Sequence, residues 1–129
     1  MFKQGPIPAF VHGVIEYLVA AVLIAAPFLA DFEDDTATGV SIVAGVLVLV
    51  ITASTALPTG LIKSIPVQAH AILDYLIALV LIASPFLFAF SDDGTATVFF
   101  IGLGVLHLLV TIGTRFVREE RSPRPRRGA

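Results

Sequence analysis

Two histidine–carboxylate pairs are the side chains of this sequence best suited to chemistry. His12 precedes Glu16 by four residues, and His70 precedes Asp74 by the same interval. On an α-helix this spacing places both members of a pair on one face. An imidazole beside a carboxylate can move a proton or form a strong, charge-assisted hydrogen bond. A tyrosine follows each pair, so the candidate polar site comprises His12, Glu16, Tyr17, His70, Asp74 and Tyr75.

Both pairs lie in long apolar stretches, where an ionised carboxylate costs roughly 2.5–3.5 kcal/mol on membrane-insertion scales. We therefore expect the pairs to face the interior of a helical bundle. Two interpretations follow from this position. The pairs are either hydrogen-bonded latches that hold neighbouring hairpins together, or a proton relay, ion site or ligand pocket.

His107 is a lone polar residue in the middle of the last apolar stretch, where the first half of the chain has Val48. Two facing histidines at that depth could ligate haem, but a single one is better explained as a buried side chain hydrogen-bonded to a neighbour. The chain has no cysteine, which excludes disulfides and thiolate metal sites. The acidic turns lack the spacing of a calcium-binding loop. The sequence predicts no metal site, no cofactor and no catalytic motif.

The elements that position these residues are predicted to be transmembrane helices. Hydrophobic residues make up 57% of the chain and charged residues 14%, against about 25% charged in soluble domains. A helix needs roughly 20 apolar residues to cross the hydrocarbon core, and lipid favours helices because every backbone polar group must be bonded internally. Four segments qualify, at residues 9–29, 38–55, 67–90 and 97–116. The first is not read as a signal peptide, because the third repeats it in mid-chain.

The two halves of the chain are copies of one unit. HGVIEYLVA from His12 recurs as HAILDYLIA from His70, and LIAAPF from Leu23 recurs as LIASPF from Leu81. One inserted residue, Gly94, then shifts the register, after which the threonine pairs 52/111 and 55/114 match. Each copy holds two spans, so both copies enter the membrane from the same side.

The repeat predicts an all-α membrane protein with four transmembrane helices. Its two tandem hairpins are expected to be parallel, with a pseudo-two-fold axis along the membrane normal. The chain forms one transmembrane domain, comprising repeat 1 at 9–55, a connector at 56–66, repeat 2 at 67–116 and a basic tail at 117–129.

The distribution of charge predicts the orientation of the chain. All eight Lys and Arg residues flank one side of the predicted spans, whereas the charged residues in the two turns within the hairpins are all acidic. Positive charge in short loops marks the cytoplasmic side. Both termini and the connector are therefore expected on the cytoplasmic side of the membrane, and the two acidic turns on the outer side. The basic tail is expected to contact anionic lipid headgroups rather than nucleic acid. The eight residues are Lys3, Lys63, Arg115, Arg118, Arg121, Arg124, Arg126 and Arg127.

The repeated motif resembles the SPW repeat family of small bacterial and archaeal membrane proteins. That family is marked by Ser-Pro-Trp at the end of an apolar helix, commonly preceded by His and Asp at the spacing found here. Ser84-Pro85-Phe86 after His70 and Asp74 carries the resemblance, as does the connector LIKSIP from Leu61. Phe28 and Phe86 stand where the family has Trp, and Ala26 replaces Ser in the first copy. The resemblance implies a two-hairpin membrane fold and no established activity.

The leading functional hypothesis is a non-enzymatic structural or accessory protein that crosses the inner (cytoplasmic) membrane of a prokaryote several times. It is expected to self-associate or to bind other membrane subunits. The alternatives are a small proton or cation transport module built on the histidine–carboxylate pairs, and a haem- or quinone-binding membrane subunit. No particular small-molecule ligand is indicated. Self-association is expected because small residues allow close helix packing in lipid. They are Ala20, Ala21, Ala25, Gly45, Ala78, Ala83, Gly102 and Gly104.

Overall fold

The computed structural model describes residues 5–115, which form an almost entirely helical chain. Its helices are α1 (Ala9–Leu29), α2 (Asp35–Ala53), α3 (Val67–Leu87) and α4 (Gly94–Gly113). All four are long and apolar enough to cross a membrane, which confirms the predicted all-α, four-span fold. The predicted basic tail at 117–129 lies outside the described residues.

The second and fourth helices begin at residues 35 and 94 rather than at 38 and 97, because an aspartate caps each of them. The Asp34 carboxylate accepts hydrogen bonds from the backbone N–H groups of Thr36 and Ala37. Asp93 accepts one from the N–H of Ala96. Such caps satisfy N–H groups that have no partner within the helix. The shared role pairs Asp34 with Asp93, so the extra residue of repeat 2 precedes Asp93 and is not Gly94.

Helices α1 and α3 end in the same way, shortly after a proline in their last turn. The N–H of Phe32 donates to the carbonyl of Pro27 over 3.0 Å, and the N–H of Phe90 donates to that of Pro85 over 2.9 Å. The residue before each of these phenylalanines takes a positive φ, 51° at Asp31 and 56° at Ala89. This is the left-handed closing motif of helix C-termini. It ends α3 at Leu87, short of the predicted residue 90.

Short backbone ladders join the two hairpins at one end of the bundle. Strand β1 (Ile7–Pro8) pairs in parallel with β2 (Thr114–Arg115), which ties the start of α1 to the end of α4. This pairing was not predicted, and because of it α4 ends before residue 116. An isolated bridge between Thr55 and Ile65 holds the connector against the end of α2. We call this end, which carries the predicted cytoplasmic segments, the inner end.

The opposite, outer end is held together by one aspartate. Asp93, at the start of α4, accepts hydrogen bonds from the backbone N–H groups of Glu33 (2.9 Å) and Asp34 (3.1 Å) in the turn of the first hairpin. Both turns therefore lie at the same end, and the two hairpins run side by side in the same orientation. The pseudo-two-fold axis itself stays a prediction.

The bundle is apolar towards the outer end and polar towards the inner end. Leu23, Leu81, Phe90 and Phe100 are fully buried in the outer core. Large apolar side chains also cover the outward faces of all four helices, as expected where the solvent is lipid. They include Phe10, Leu18, Val43, Leu47, Leu76, Leu79, Val98 and Leu109.

Two of the small residues bring the helices of each hairpin close together. A Cβ atom added to Gly45 would lie 2.9 Å from the carbonyl oxygen of Ala20, and one added to Gly104 would lie 3.0 Å from that of Ala78. A Cβ on Gly102 would meet no atom within 4 Å. Gly45 and Gly104 therefore serve packing inside the hairpins, whereas Gly102 faces outward.

Candidate functional site

Four ionisable side chains meet inside the inner half of the bundle. His12 and Glu16 come from α1, and His70 and Asp74 come from α3. Each is at most 1% exposed. Both pairs follow the first turn of their helix, and the common orientation of the hairpins brings the two pairs together. We call these four residues the polar ring.

Within the ring, each histidine contacts the carboxylates of both repeats. His12 Nε2 lies 2.8 Å from Glu16 Oε1 and 2.9 Å from Asp74 Oδ2. His70 Nε2 lies 2.8 Å from Glu16 Oε2 and 3.1 Å from Asp74 Oδ2. Nitrogen and oxygen atoms thus alternate around the ring, and neither repeat could form it alone.

Threonines just beyond the ends of α2 and α4 bind the far side of each imidazole. His12 Nδ1 lies 2.7 Å from Thr114 Oγ1, and His70 Nδ1 lies 2.7 Å from Thr55 Oγ1. Both hydroxyls donate their single proton to a backbone carbonyl four residues earlier, at Val110 and Ile51. Each hydroxyl must therefore accept from the histidine, which assigns the proton of both imidazoles to Nδ1.

This assignment determines what the ring can hold. With Nδ1 protonated, a neutral histidine presents the lone pair of Nε2, and both Nε2 atoms face carboxylate oxygens that also carry lone pairs. Such contacts at 2.8–3.1 Å are attractive only if a proton or a metal cation lies between the two atoms. The ring is therefore a site for protons or for a cation.

The two carboxylates of the ring have different neighbours. Thr52 donates to Glu16 Oε2 over 2.8 Å. Thr111, its counterpart in the repeat, donates instead to the backbone carbonyl of His107. The imidazole of His107 lies beside Asp74, with 3.6 Å between Nε2 and Oδ1, so Asp74 faces an imidazole where Glu16 faces a hydroxyl.

His107 is buried, as the sequence indicates, but it lacks the expected hydrogen bond. Among the described residues neither of its ring nitrogens has a hydrogen-bond partner, although the side chain is only 1% exposed. Its one polar contact in the described residues, Nε2 to Asp74 Oδ1 at 3.6 Å, is too long for a hydrogen bond, and a buried polar group without a hydrogen bond is costly. Of the side chains beside the ring, His107 is therefore the one whose hydrogen-bonding capacity is least used.

The two tyrosines of the predicted site do not belong to the polar ring. The Tyr17 hydroxyl donates over 2.8 Å to the backbone carbonyl of Thr59, in the connector. Tyr75 is half-buried, and within residues 5–115 no hydrogen bond joins its hydroxyl to the ring. The structure thus brings together four of the six predicted residues and adds His107 beside them.

The threonines around the ring are residues that the sequence analysis did not assign to the site. Thr52 and its counterpart Thr111 lie in the last turns of α2 and α4, and Thr55 and its counterpart Thr114 lie just beyond the ends of these helices. Their signal in the sequence is that both recur in the repeat, three residues apart, at the end of an apolar stretch. Their distance to the histidines depends on how the hairpins pack, which the sequence pattern does not give.

The ring is enclosed on both sides. Towards the outer end, Val19, Leu23 and Leu81 are buried in the apolar core. Towards the inner end, the connector folds over the bundle, where Leu57 is only 1% exposed. A Cβ on Gly13, the neighbour of His12, would collide with the side chain of Thr59, so connector and α1 are in direct contact.

Comparison with known proteins agrees with this architecture. The family model of the SPW repeat domain matches residues 10–112, a range that includes both hairpins and the whole polar ring. The chain belongs to the SPW repeat family. No curated protein and no solved structure matches it. With its four apolar helices, this SPW repeat protein is a multi-pass membrane protein. Its Ser84-Pro85-Phe86 segment lies at the end of α3, where Ser84 and Pro85 are buried and Phe86 is exposed.

Proposed function

We propose that this protein is a non-enzymatic structural or accessory component of a prokaryotic inner membrane, and that the polar ring locks its two hairpins together. The observation that carries the proposal is that each histidine contacts both Glu16 of one repeat and Asp74 of the other. Because each repeat supplies one histidine and one carboxylate, the ring forms only when the two hairpins are assembled in one register.

The surrounding lipid explains why such a lock is useful. Apolar side chains gain little from leaving lipid for a protein interface, so helix association in membranes depends on packing and on polar contacts. Gly45 and Gly104 supply close packing within each hairpin. Between the hairpins, the ring contributes directional contacts that an apolar surface lacks. Buried polar groups of this kind can specify register even where their net stabilisation is small.

Orientation and assembly are part of the proposal. The eight positive residues support cytoplasmic termini and a cytoplasmic connector. Outward-facing small residues, Ala21 and Gly102, support self-association or contact with other membrane subunits. Gly45, Gly104, Ala20 and Ala78 do not contribute to this argument, because they pack inside the bundle.

The lock is tested by unfolding metal-free variants of the ring in mixed micelles. In His12→Leu/His70→Leu both carboxylates lose their imidazole partners, and the free energy of unfolding should fall by at least about 3 kcal/mol. In Glu16→Gln/Asp74→Asn the amide groups can donate to the Nε2 lone pairs, so stability should stay within about 1 kcal/mol of wild type. His107→Val is the comparison variant: it removes a buried imidazole that contacts one carboxylate of the ring, Asp74, so it should lower stability less than the double leucine variant. Equal stability of the leucine variant and wild type would exclude the lock.

A small proton or cation transport module is the second candidate. It is favoured by the presence of four ionisable side chains inside membrane-spanning helices, where such groups are functional by default. The enclosure of the ring by Leu23, Leu81 and the connector argues against it. Proteoliposomes under an imposed pH or cation gradient decide between the two, since wild-type flux that Glu16→Gln/Asp74→Asn abolishes would support transport.

A haem or quinone role has less support, because the Nε2 atoms of His12 and His70 face carboxylates.

A further inference from the structure

We propose that the polar ring binds one divalent first-row transition-metal ion through His12, Glu16, His70 and Asp74. One Nε2 or carboxylate oxygen from each residue lies within 4.8 Å of all the others. This inference uses the same ring as the proposed lock but does not require the lock to be important for stability.

The distances around the ring match those of a metal-ligand set. Neighbouring nitrogen and oxygen atoms are separated by 2.8–3.1 Å. Bonds of about 2.0–2.1 Å to a four-coordinate metal separate adjacent ligand atoms by about 2.8–3.4 Å. These four neighbouring separations therefore need to change by only a few tenths of an ångström to accept an ion, and the two diagonal separations are at most 4.8 Å.

The donor atoms determine the class of ion. Imidazole nitrogen together with carboxylate oxygen suits divalent zinc, iron or manganese, whereas Mg²⁺ and Ca²⁺ prefer oxygen ligands alone. Two carboxylates also balance the charge of one divalent cation when both imidazoles are neutral. A neutral cluster is what the low-dielectric interior of a membrane protein tolerates.

The orientation of the imidazoles is already the one that a metal requires. Metal-bound histidines generally donate their second N–H to an oxygen atom, which fixes the ring and its tautomer. Here Thr114 and Thr55 accept from Nδ1 of His12 and His70, so the lone pair of each Nε2 points into the ring. Thr52, which donates to Glu16, supports a carboxylate in the same manner.

His107 provides an independent indication of a missing ligand. It is buried and lies 3.6 Å from Asp74, and within the described part of the chain neither of its nitrogens is hydrogen-bonded. A metal ion bound beside Asp74 would give this imidazole a partner at bonding or hydrogen-bonding distance, directly or through a bound water. The counterpart residue Val48 cannot do so, which makes the proposed site asymmetric.

The test is metal binding by the full chain, purified in mild detergent without a histidine tag and stripped with a chelator. Zn²⁺ and Co²⁺ serve as probes, with Co²⁺ read from its visible d–d absorption and Zn²⁺ from calorimetry and elemental analysis. We expect about one equivalent of metal per chain. The Thr55→Val/Thr114→Val variant should bind roughly 10–100-fold more weakly, and His107→Val should change the Co²⁺ spectrum.

The decisive variant is Glu16→Gln/Asp74→Asn, which keeps hydrogen-bonding groups in the ring but removes both anionic ligands. It should lose at least about 100-fold in affinity. Asp35→Asn/Asp92→Asn is the matched control at the outer end and should bind like wild type. Folded wild-type protein that binds neither probe would overturn the metal site, as would undiminished binding by the ring variant. Because the lock is measured from unfolding of metal-free protein, either proposal can fail without the other.

Discussion

The hydroxyl group of Ser41 donates a hydrogen bond to the backbone carbonyl of Leu23 in the neighbouring helix. In an uninterrupted helix that carbonyl would accept from the N–H group four residues later. The residue at that position is Pro27, which has no N–H. Ser41 therefore replaces the hydrogen bond that the proline of the family motif removes, and it does so at 0% exposure, inside the hairpin.

We expect Ser41→Ala to lower the free energy of unfolding by about 1–3 kcal/mol, because it leaves a buried carbonyl without a partner. Ser84→Ala is the matched control. The Ser84 hydroxyl donates to Val80 within its own helix, a type of bond that adds little to helix stability. Unfolding of both variants in mixed micelles measures the difference, and equal losses from the two substitutions would contradict the assigned role of Ser41.

The repeat in the sequence accounts for the architecture and for the core of the site. Because His12 and His70 recur with their carboxylates, both pairs were expected to face the interior of the bundle, and the structure has them there in one ring. The hydrogen bonds between helices could not be predicted from the repeat. Phe100 occupies the position in α4 that corresponds to Ser41 in α2, so the repeat does not reveal the Ser41–Leu23 bond. The histidine–threonine bonds depend likewise on packing distances that hydrophobic periodicity does not encode.

Close packing within the hairpins predicts different effects for three glycine substitutions. Gly45→Ala and Gly104→Ala place a Cβ against a backbone carbonyl of the neighbouring helix, and each should destabilise the protein by about 1–3 kcal/mol. Gly102→Ala meets open space and should be neutral or stabilising by up to about 1 kcal/mol. Thermal unfolding in one detergent provides the comparison. A large loss of stability in Gly102→Ala would instead indicate that its outward face is occupied by a partner.

The proposed orientation can be tested with single cysteines, because the native chain has none. Asp92→Cys lies in the exposed outer turn and Ser64→Cys in the exposed connector. The distribution of positive charge predicts that the outer turn faces away from the cytoplasm. An impermeant thiol reagent added to intact cells should label Asp92→Cys alone, and permeabilised cells should allow both to react. Labelling of Ser64→Cys alone in intact cells would reverse the assignment.

The outer end of the bundle should lose stability in acid because of Asp93. Burial alone would raise the pKa of this carboxyl group, but hydrogen bonds from the backbone N–H groups of Ala96, Asp34 and Glu33 outweigh burial and lower the pKa below its ordinary value of 3.8. A lowered pKa in the folded state means that the ionised form stabilises the fold. The contribution is complete above the ordinary value and declines as the pH falls from 3.8 towards the lower pKa of the folded state.

Asp93→Ala removes the carboxylate that joins the two turns, whereas Asp92→Asn changes a neighbouring exposed residue and serves as the control. At neutral pH we expect Asp93→Ala to be less stable than wild type by about 1–3 kcal/mol, since it removes hydrogen bonds to a charged acceptor. The difference should shrink below about pH 4, because protonation then weakens the same bonds in wild type. Unfolding measured between neutral and acidic pH tests both statements. A difference that stays constant over the whole range would show that Asp93 acts through packing and not through its charge.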